Sequence, residues 1–276
     1  MKSRVFYLLT LYNDPYEDLC NMSGEYLSQQ NGVYIPEGIL PDTSFEKLYM
    51  LVRQKEQRVY SNAEIMDLPD IATNHKQNYE WSVRKDSCKS LITYLKKKNQ
   101  FLKILEIGCG NGWLSHKLAE IPRTEVIGLD INLTELKQAA NIFTNSNLQF
   151  VYGDIREKIL QNRQFDIIIF AGSIQYFSSP IEIINLVLES LTARGEIHII
   201  DSIFYNEKEV EAAKQNCREY YRNMGFPDMV NYYFHHLLND MYHFNCMVKH
   251  QRTSFFKKLF SKRNVFPWLC IRHHYE

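Results

Sequence analysis

The central part of the chain alternates between short apolar runs and longer segments in which apolar residues recur every three or four positions. The runs predict β-strands at residues 101–107, 125–130, 148–152, 166–170 and 196–201. The periodic segments predict helices at residues 77–98, from about 111, at 134–144 and at 180–191. Wholly apolar strands that alternate with helices are typical of a parallel sheet buried on both faces. The pattern therefore predicts an α/β fold with a doubly wound, mostly parallel sheet.

The segments on either side of this alternation have a different character. Residues 1–75 predict a mixed accessory region, with a strand near 5–12, a hairpin at 25–35 around Asn31-Gly32 and a helix at 44–59. Turn-forming residues at 67–74 predict the boundary with a main domain over 76–276. Beyond residue 201, the pattern predicts a helix at 207–223 and two final strands at 244–249 and 268–272.

Composition narrows the class of protein. The 276 residues are 45% hydrophobic and 23% charged, which is ordinary for a globular domain. The formal net charge is zero, so we expect no DNA partner and disfavour RNA, because phosphate binding usually needs a basic face. No apolar run reaches the roughly 18–20 residues of a membrane span, so we expect no stable membrane insertion. Six scattered cysteines without a C-x-x-C pair predict reduced thiols in a cytoplasmic protein, and no metal site.

A glycine-rich loop follows the first strand of the alternating region. Glu106 stands two positions before Gly108, and Gly110 and Gly112 complete a G-x-G-x-G pattern. Glycines let a backbone turn tightly and approach a ligand closely. A dinucleotide loop would carry another glycine where this chain has Trp113. The segment instead resembles the nucleoside-binding loop of class I S-adenosylmethionine-dependent methyltransferases; the alternative is an unrelated strand-turn-helix with three glycines.

The resemblance implies a Rossmann-like fold, S-adenosylmethionine as cofactor and two nucleoside contacts. Asp130 ends the second strand, where a carboxylate accepts hydrogen bonds from ribose hydroxyls, with Ile131 beside it. Asp154 follows the third strand and matches the position that binds the adenine amino group, with Ile155 covering the ring. Each aspartate could instead cap the helix that follows it.

Residues 165–177 resemble the family motif in which the fourth strand ends beside the methyl group. Backbone at Ala171 is expected next to the methionine portion of the cofactor, whose carboxylate Arg84 could pair. Tyr176 is the candidate catalytic residue here, although a phenol with a reference pKa of about 10 is a poor base at neutral pH. Electron-rich rings can stabilise a sulfonium by cation–π contact. The ring candidates are Tyr79, Trp81, Trp113 and Tyr176.

Short segments between residues 77 and 272 also resemble one bacterial subgroup of these enzymes that has no settled substrate. An aromatic segment at about 204–243 follows the fifth strand, where this fold often builds a substrate cover. His235 and His236 are its candidate catalytic groups, and on a helix two adjacent residues cannot both face one site; packed or surface histidines are the alternative. The basic and apolar stretch 255–263 predicts a connector, or a contact with a membrane surface, a lipid-like substrate or RNA.

The leading hypothesis is an S-adenosylmethionine-dependent enzyme that methylates a small, partly hydrophobic acceptor by in-line transfer. The dense Tyr, Phe and His cluster favours such a pocket over a polymer groove. An RNA or protein methyltransferase is the alternative within the same chemistry. A nicotinamide-dependent oxidoreductase and a catalytically silent cofactor-binding protein are alternatives of other classes. The acceptor atom and the oligomeric state stay open.

Overall fold

The computed structural model describes residues 27–36, 43–157, 159–160, 163–249 and 266–274. Its strands are β1 (Leu27–Gln30), β2 (Val33–Pro36), β3 (Leu102–Ile107), β4 (Thr124–Asp130), β5 (Leu148–Tyr152), β6 (Phe165–Ala171), β7 (Leu191–Ile200), β8 (Phe204–Tyr205), β9 (His236–Leu237), β10 (Asn245–Lys249) and β11 (Trp268–Arg272). Its α-helices are α1 (Thr43–Lys55), α2 (Asn62–Asp67), α3 (Asn78–Lys96), α4 (Trp113–Ala119), α5 (Leu133–Ile142), α6 (Pro180–Leu188) and α7 (Val210–Met224).

Nine of these strands form one sheet in the order β1-β2-β5-β4-β3-β6-β7-β11-β10. The six strands from β2 to β7 along this order are parallel to their neighbours. At one edge, β1 is antiparallel to β2. At the other edge, β11 is antiparallel to β7 and β10 is antiparallel to β11. The chain moves outward from β3 to β5 and then returns to β6 on the other side. Ligands of such sheets bind at this switch point, beyond the carboxyl ends of the strands.

The apolar strands bury side chains on both faces of the sheet. One face packs against α3, α4 and α5 through residues such as Leu91, Leu114 and Leu136. The other face packs against α6 and neighbouring segments, including Ile184 and Met241. The predicted Rossmann-like, doubly wound sheet with helices on both faces is confirmed.

The described part of residues 1–75 is joined to this sheet. Asn31 and Gly32 both have positive φ, 51° and 79°, and form the predicted hairpin turn. The hairpin then pairs in parallel with β5, with Val33 opposite Phe150. The hairpin thus extends the sheet at the free edge of β5. The division of the chain near residue 75 stays a prediction. The predicted strand at 5–12 and the basic stretch 255–263 lie outside the described residues.

A buried ion network ties the other edge of the sheet together. The Glu196 carboxylate on β7 lies 2.9 Å from the Lys98 ammonium and 3.2 Å from the His198 ring, and it also pairs with Arg272. The Cys270 thiol lies within 4.8 Å of the His198 and Glu196 ligand atoms. Two permanent cations already neutralise Glu196, so this set disfavours a metal ion. None of the helices in the described segments combines the length and apolar character needed to cross a bilayer.

Candidate functional site

Two cavities lie at the carboxyl edge of the parallel strands. The smaller, of about 370 Å³, is lined by the ends of β4 and β5, including Asp130, Ile131, Asp154 and Ile155. The larger, of about 700 Å³, extends from the end of β6 beneath the segment 204–243. Both cavities share six lining residues, so they adjoin at one place in the fold. These residues are Tyr49, Gly108, Gly110, Glu135, Gly172 and Tyr176.

The glycine loop forms the floor of this junction. Gly108 has a φ of +76°, and a Cβ atom added there would lie 2.5 Å from the Ser173 Cβ. Gly110 has a φ of +52° and donates its N–H to the Asp130 carboxylate at 2.7 Å. Glycine is needed at both positions, since other residues rarely adopt this backbone. The loop thereby presents bare backbone to both cavities.

Gly112 has a different place from the one expected. It precedes α4 with a φ of +73°, and an added Cβ would lie 2.7 Å from the Phe150 ring and 2.8 Å from the Ala139 Cβ. It lines neither cavity described above. Gly112 therefore lets the loop and α4 pack on β5, and the structure does not bring it to the candidate cofactor site.

Glu106 is a buried carboxyl group at the end of β3 that lines the larger cavity. Its partner is the Ser115 hydroxyl on α4. Burial raises the pKa of Glu106 to about 8, so the neutral acid is readily populated at neutral pH. The group links the loop to the helix that follows it.

Asp130 organises the loop as well as lining the smaller cavity. One carboxylate oxygen accepts the Gly110 N–H at 2.7 Å, and the other accepts the Asn132 N–H at 2.8 Å. The Ile131 N–H is a third backbone donor to this carboxylate, and because a carboxylate has about four acceptor sites, part of its capacity remains for a ligand. Burial raises the pKa of Asp130, and the backbone hydrogen bonds oppose that rise. The position suits the expected contact with ribose hydroxyls, which stays a prediction.

Asp154 lines the same cavity, but it already has a partner that the sequence did not suggest. The Arg156 guanidinium pairs with both of its oxygens, with Nε at 2.9 and 3.0 Å. Ile155 next to it is buried. An adenine amino group would have to share the Asp154 carboxylate with Arg156, so the expected contact stays a prediction.

Arg84 lies at the opposite end of the site, where β6 ends. A Cβ atom added at Gly172 would lie 3.6 Å from its Nη2 atom. The guanidinium is held by Glu80 at 3.0 Å and lies 5.3 Å from the Trp81 ring centroid. Ala171 lines the same cavity. The structure thus brings together Arg84 and Ala171, as the sequence predicted.

Aromatic rings surround the junction of the two cavities. Tyr176 packs edge-to-face against Tyr49 at 5.8 Å and against Tyr233 at 5.9 Å. Burial raises the pKa of Tyr176, which agrees with the expectation that this phenol is not a base. Of the other ring candidates, Trp81 and Trp113 line the larger cavity, whereas Tyr79 is exposed.

The two histidines of the cover segment face different ways. His235 lines the larger cavity, 5.3 Å from the Tyr205 ring and 5.4 Å from the Tyr233 ring. Burial lowers its pKa. His236 is buried in β9 with a ring nitrogen 3.0 Å from the Ile174 carbonyl, and it lines neither cavity. A candidate catalytic role for His236 is therefore not supported, because alternation along this short strand turns it into the core.

Several cavity residues escaped sequence reasoning. Helix α1 contributes Tyr49 and Arg53, although its pattern indicated only an apolar core face. The end of β4 is followed by α5, whose Glu135 lies at the junction; burial raises the pKa of Glu135 to about 7. Only the Asn132-x-x-Glu135 spacing, a helix N-cap pattern, could have drawn attention to that position.

Comparisons with known proteins agree with this geometry. A family model described as a methyltransferase domain matches residues 98–259. The chain is 30% identical over 129 residues to the malonyl-[acyl-carrier protein] O-methyltransferase of Priestia megaterium, covering 45% of this chain and 47% of that protein. It is 28% identical over 103 residues to the tRNA U34 carboxymethyltransferase of Campylobacter fetus, covering 37% and 36%. The chain thus spans about half the length, or less, of these curated relatives.

Two solved structures share the fold at low sequence identity. Magnesium protoporphyrin IX methyltransferase from Synechocystis PCC 6803 with bound SAH has a TM-score of 0.54 at 15% identity, covering 84% of this chain and 97% of that one. The plantazolicin methyltransferase BpumL, with SAH and a pentazolic analogue, has a TM-score of 0.51 at 18% identity, covering 83% and 99%. The family match includes the glycine loop, Asp130 and Asp154. The chain therefore belongs to the methyltransferase domain family, with the fold of the class I S-adenosylmethionine-dependent methyltransferases.

Proposed function

We propose that this chain transfers a methyl group from S-adenosylmethionine to a small, partly hydrophobic acceptor in the larger cavity. The observation that carries the proposal is the meeting of two unlike cavities beside Tyr176 and the glycine loop. The smaller cavity has the carboxylates and aliphatic walls that suit a nucleoside. The larger cavity has aromatic walls and is covered by the segment 204–243, which suits a small molecule better than an extended polymer.

The residues present fit the cofactor. Asp130 offers two carboxylate oxygens to ribose hydroxyls, while Ile131 and Ile155 would cover the adenine, with Asp154 at its edge. The bare backbone of Gly108 and Gly110, together with Ala171, would lie along the methionine portion. Arg84 would pair with its carboxylate. When bound, S-adenosylmethionine supplies an electrophilic methyl group on a sulfonium.

The chain's own contribution to the reaction is alignment and exclusion of water. Tyr49 and Tyr176 flank the junction, where their rings can stabilise a positive charge by cation–π contact. Tyr205 and Tyr233 enclose the acceptor side. His235 stands among these rings and is the candidate residue for contact with the acceptor. Burial lowers its pKa, which favours the uncharged imidazole.

Three of the four related proteins named above have a small or carrier-borne acceptor, whereas the fourth acts on tRNA. The matched curated protein acts on malonyl-[acyl-carrier protein], and the two structural neighbours act on plantazolicin and magnesium protoporphyrin IX. These acceptors differ widely from one another. They support the class of reaction, but the acceptor of this chain has to be inferred from the residues of its own cavity.

Isothermal titration calorimetry with S-adenosylmethionine, SAH and NAD tests the proposal. We expect both sulfur-containing ligands to bind and NAD not to bind, because Trp113 stands where a dinucleotide loop has glycine and the smaller cavity suits one nucleoside. Failure of both sulfur-containing ligands to bind would contradict the proposal, and binding of NAD in their place would favour the oxidoreductase alternative. For an Asp130→Ala variant, the matched control is Asp166→Ala, since Asp166 also accepts a backbone N–H but lies at the opposite edge of the sheet.

A further inference from the structure

Arg53 on α1 lies at the wall of the larger cavity with an incomplete set of partners. Its Nε atom is shielded from solvent and has no hydrogen-bond acceptor among the residues that the structure describes. Within the described segments its one ion pair is a long one, 3.8 Å from Nη1 to the Glu56 carboxylate. A buried guanidinium donor that lacks an acceptor is costly, so a site of this kind favours an anionic ligand.

The other two arginines of this wall already have a carboxylate partner, and Arg84 is in addition proposed to bind the carboxylate of the cofactor. Arg58 contacts Glu80 at 2.6 and 2.7 Å through its two terminal nitrogens. Arg84 takes a further oxygen contact with the same Glu80 at 3.0 Å. Arg53 alone among these three has a shielded donor without an acceptor in the described segments. It is therefore the one best suited to receive an acidic group from outside.

The position of Arg53 relates such an anion to the methyl group. Its guanidinium carbon lies 5.4 Å from the Tyr49 ring centroid. Tyr49 and its neighbour Tyr176 both line the junction of the two cavities. An anion held by Arg53 would thus lie at the acceptor side of the junction. The nearby Glu135 has a pKa of about 7 because of its burial, so its neutral form, which repels no anion, is readily populated.

We infer that Arg53 binds a carboxylate of the acceptor and that an oxygen of this carboxylate receives the methyl group. The inference rests on the proposed function and deepens it to carboxyl O-methylation. One carboxylate oxygen forms a bond to the methyl carbon while the carbon–sulfur bond breaks and its electron pair stays on sulfur. The acceptor loses its negative charge and the donor its positive charge, so no proton moves and no general base is needed. The resulting ester no longer holds Arg53 by charge, which favours product release.

The experiment uses the SAH-loaded full chain and pairs of probes that differ only in charge. Octanoate and 3-phenylpropionate are titrated by calorimetry against octanamide and 3-phenylpropionamide, with octyl phosphate as a second anion. The variants are Arg53→Gln, and Lys55→Gln as a matched loss of positive charge at an exposed position of the same helix. Melting temperatures and SAH affinity are measured for each variant, and Arg53→Lys keeps the charge if Arg53→Gln fails to fold.

We expect at least one carboxylate to bind about 10- to 100-fold more tightly than its amide, as a charge-assisted hydrogen bond implies. Arg53→Gln should abolish this difference, and Lys55→Gln should keep it. Equal binding of acid and amide, no binding of either, or tighter binding of octyl phosphate would overturn the inference. A loss of more than tenfold in SAH affinity in Arg53→Gln would also overturn the inference, because Arg53 would then bind the cofactor and not the acceptor. If wild type binds no SAH, the proposed function itself fails, a result that is distinct from all of these.

Discussion

Replacement of Asp130 by alanine is the most direct test of the candidate cofactor site. The carboxylate accepts the N–H groups of Gly110 and Asn132 at 2.7 and 2.8 Å, so it fixes the loop and the chain entering α5. Its remaining lone pairs face the smaller cavity, where ribose hydroxyls are proposed to bind. Asp130→Ala removes both sets of contacts without adding bulk.

The magnitude follows from the number of hydrogen bonds. A hydrogen bond to a charged group contributes about 1.5–3 kcal/mol. Two ribose hydroxyls bound by one carboxylate therefore account for about 3–6 kcal/mol, which corresponds to a loss of about 10²- to 10⁴-fold in affinity. Asp130 also fixes the conformation of the glycine loop, and losing this constraint would weaken SAH binding further. Calorimetric titration of SAH into the folded variant measures the change in dissociation constant.

Asp166→Ala provides the control for a general effect of losing a strand-end aspartate. Asp166 accepts the Lys103 N–H at 2.9 Å and the Thr192 hydroxyl at 3.2 Å, at the amino edge of β6. This variant should lose stability but bind SAH like wild type. An Asp130→Ala protein that is folded and binds SAH within fivefold of wild type would refute the ribose assignment.

Three further predictions concern packing, stability and the cover segment. Gly112→Ala should destabilise the fold by about 2–5 kcal/mol in urea unfolding, through left-handed strain and the clash with Phe150, while the folded fraction keeps its SAH affinity. Glu196→Gln should cost about 3–5 kcal/mol at pH 7. Although burial raises the pKa of Glu196, hydrogen bonds from its partners hold that pKa well below its ordinary value. The stability that the ionised carboxylate contributes is therefore complete above about pH 5 and is lost in acid. The difference in unfolding free energy between variant and wild type should narrow as the pH is lowered. His236→Ala should lower the melting temperature and His235→Ala should change acceptor kinetics at an unchanged melting temperature; the reverse pattern would remove His235 from the site.

The central strands could be predicted because their uninterrupted apolar sequence indicates burial on both faces. A parallel strand covered on both faces is almost wholly aliphatic, so β3 to β6 begin and end within one residue of the expected positions. The start of β7 was predicted too late, at residue 196 instead of Leu191. Residues 192–195 have turn-forming character, but β7 is continuous through them. An irregularity in the register between Phe165 and Ile167 lets Leu191 pair with β6 before the pairing continues at Glu196.

The remaining errors concern which way a residue faces once elements are packed. The pattern indicated that Gly112 belongs to the ligand loop, but the approach of α4 to β5 puts it against Phe150. Both His235 and His236 were candidate catalytic groups, but His236 begins the two-residue strand β9 and is buried, whereas His235 precedes that strand and lines the larger cavity. The periodicity of the sequence does not encode either orientation, because each depends on the element that packs against the residue. Composition could place these residues near the site but could not orient them.

Part of the wall of the larger cavity lies outside the family match, and this bears on how the acceptor should be sought. The family match begins at residue 98, so it includes Asp130 and Asp154 but leaves out Arg53, Tyr49 and Arg84. Helix α1 is nevertheless anchored to the shared core, because Glu46 accepts the Thr134 N–H at 3.0 Å at the start of α5. A shared core that holds the cofactor can thus carry acceptor contacts supplied by a preceding segment, which relatives matched only over the core need not share. Acceptor identity then depends on the charge and rings of α1 as well as on the matched core, so carboxylates chosen for Arg53 form the starting panel.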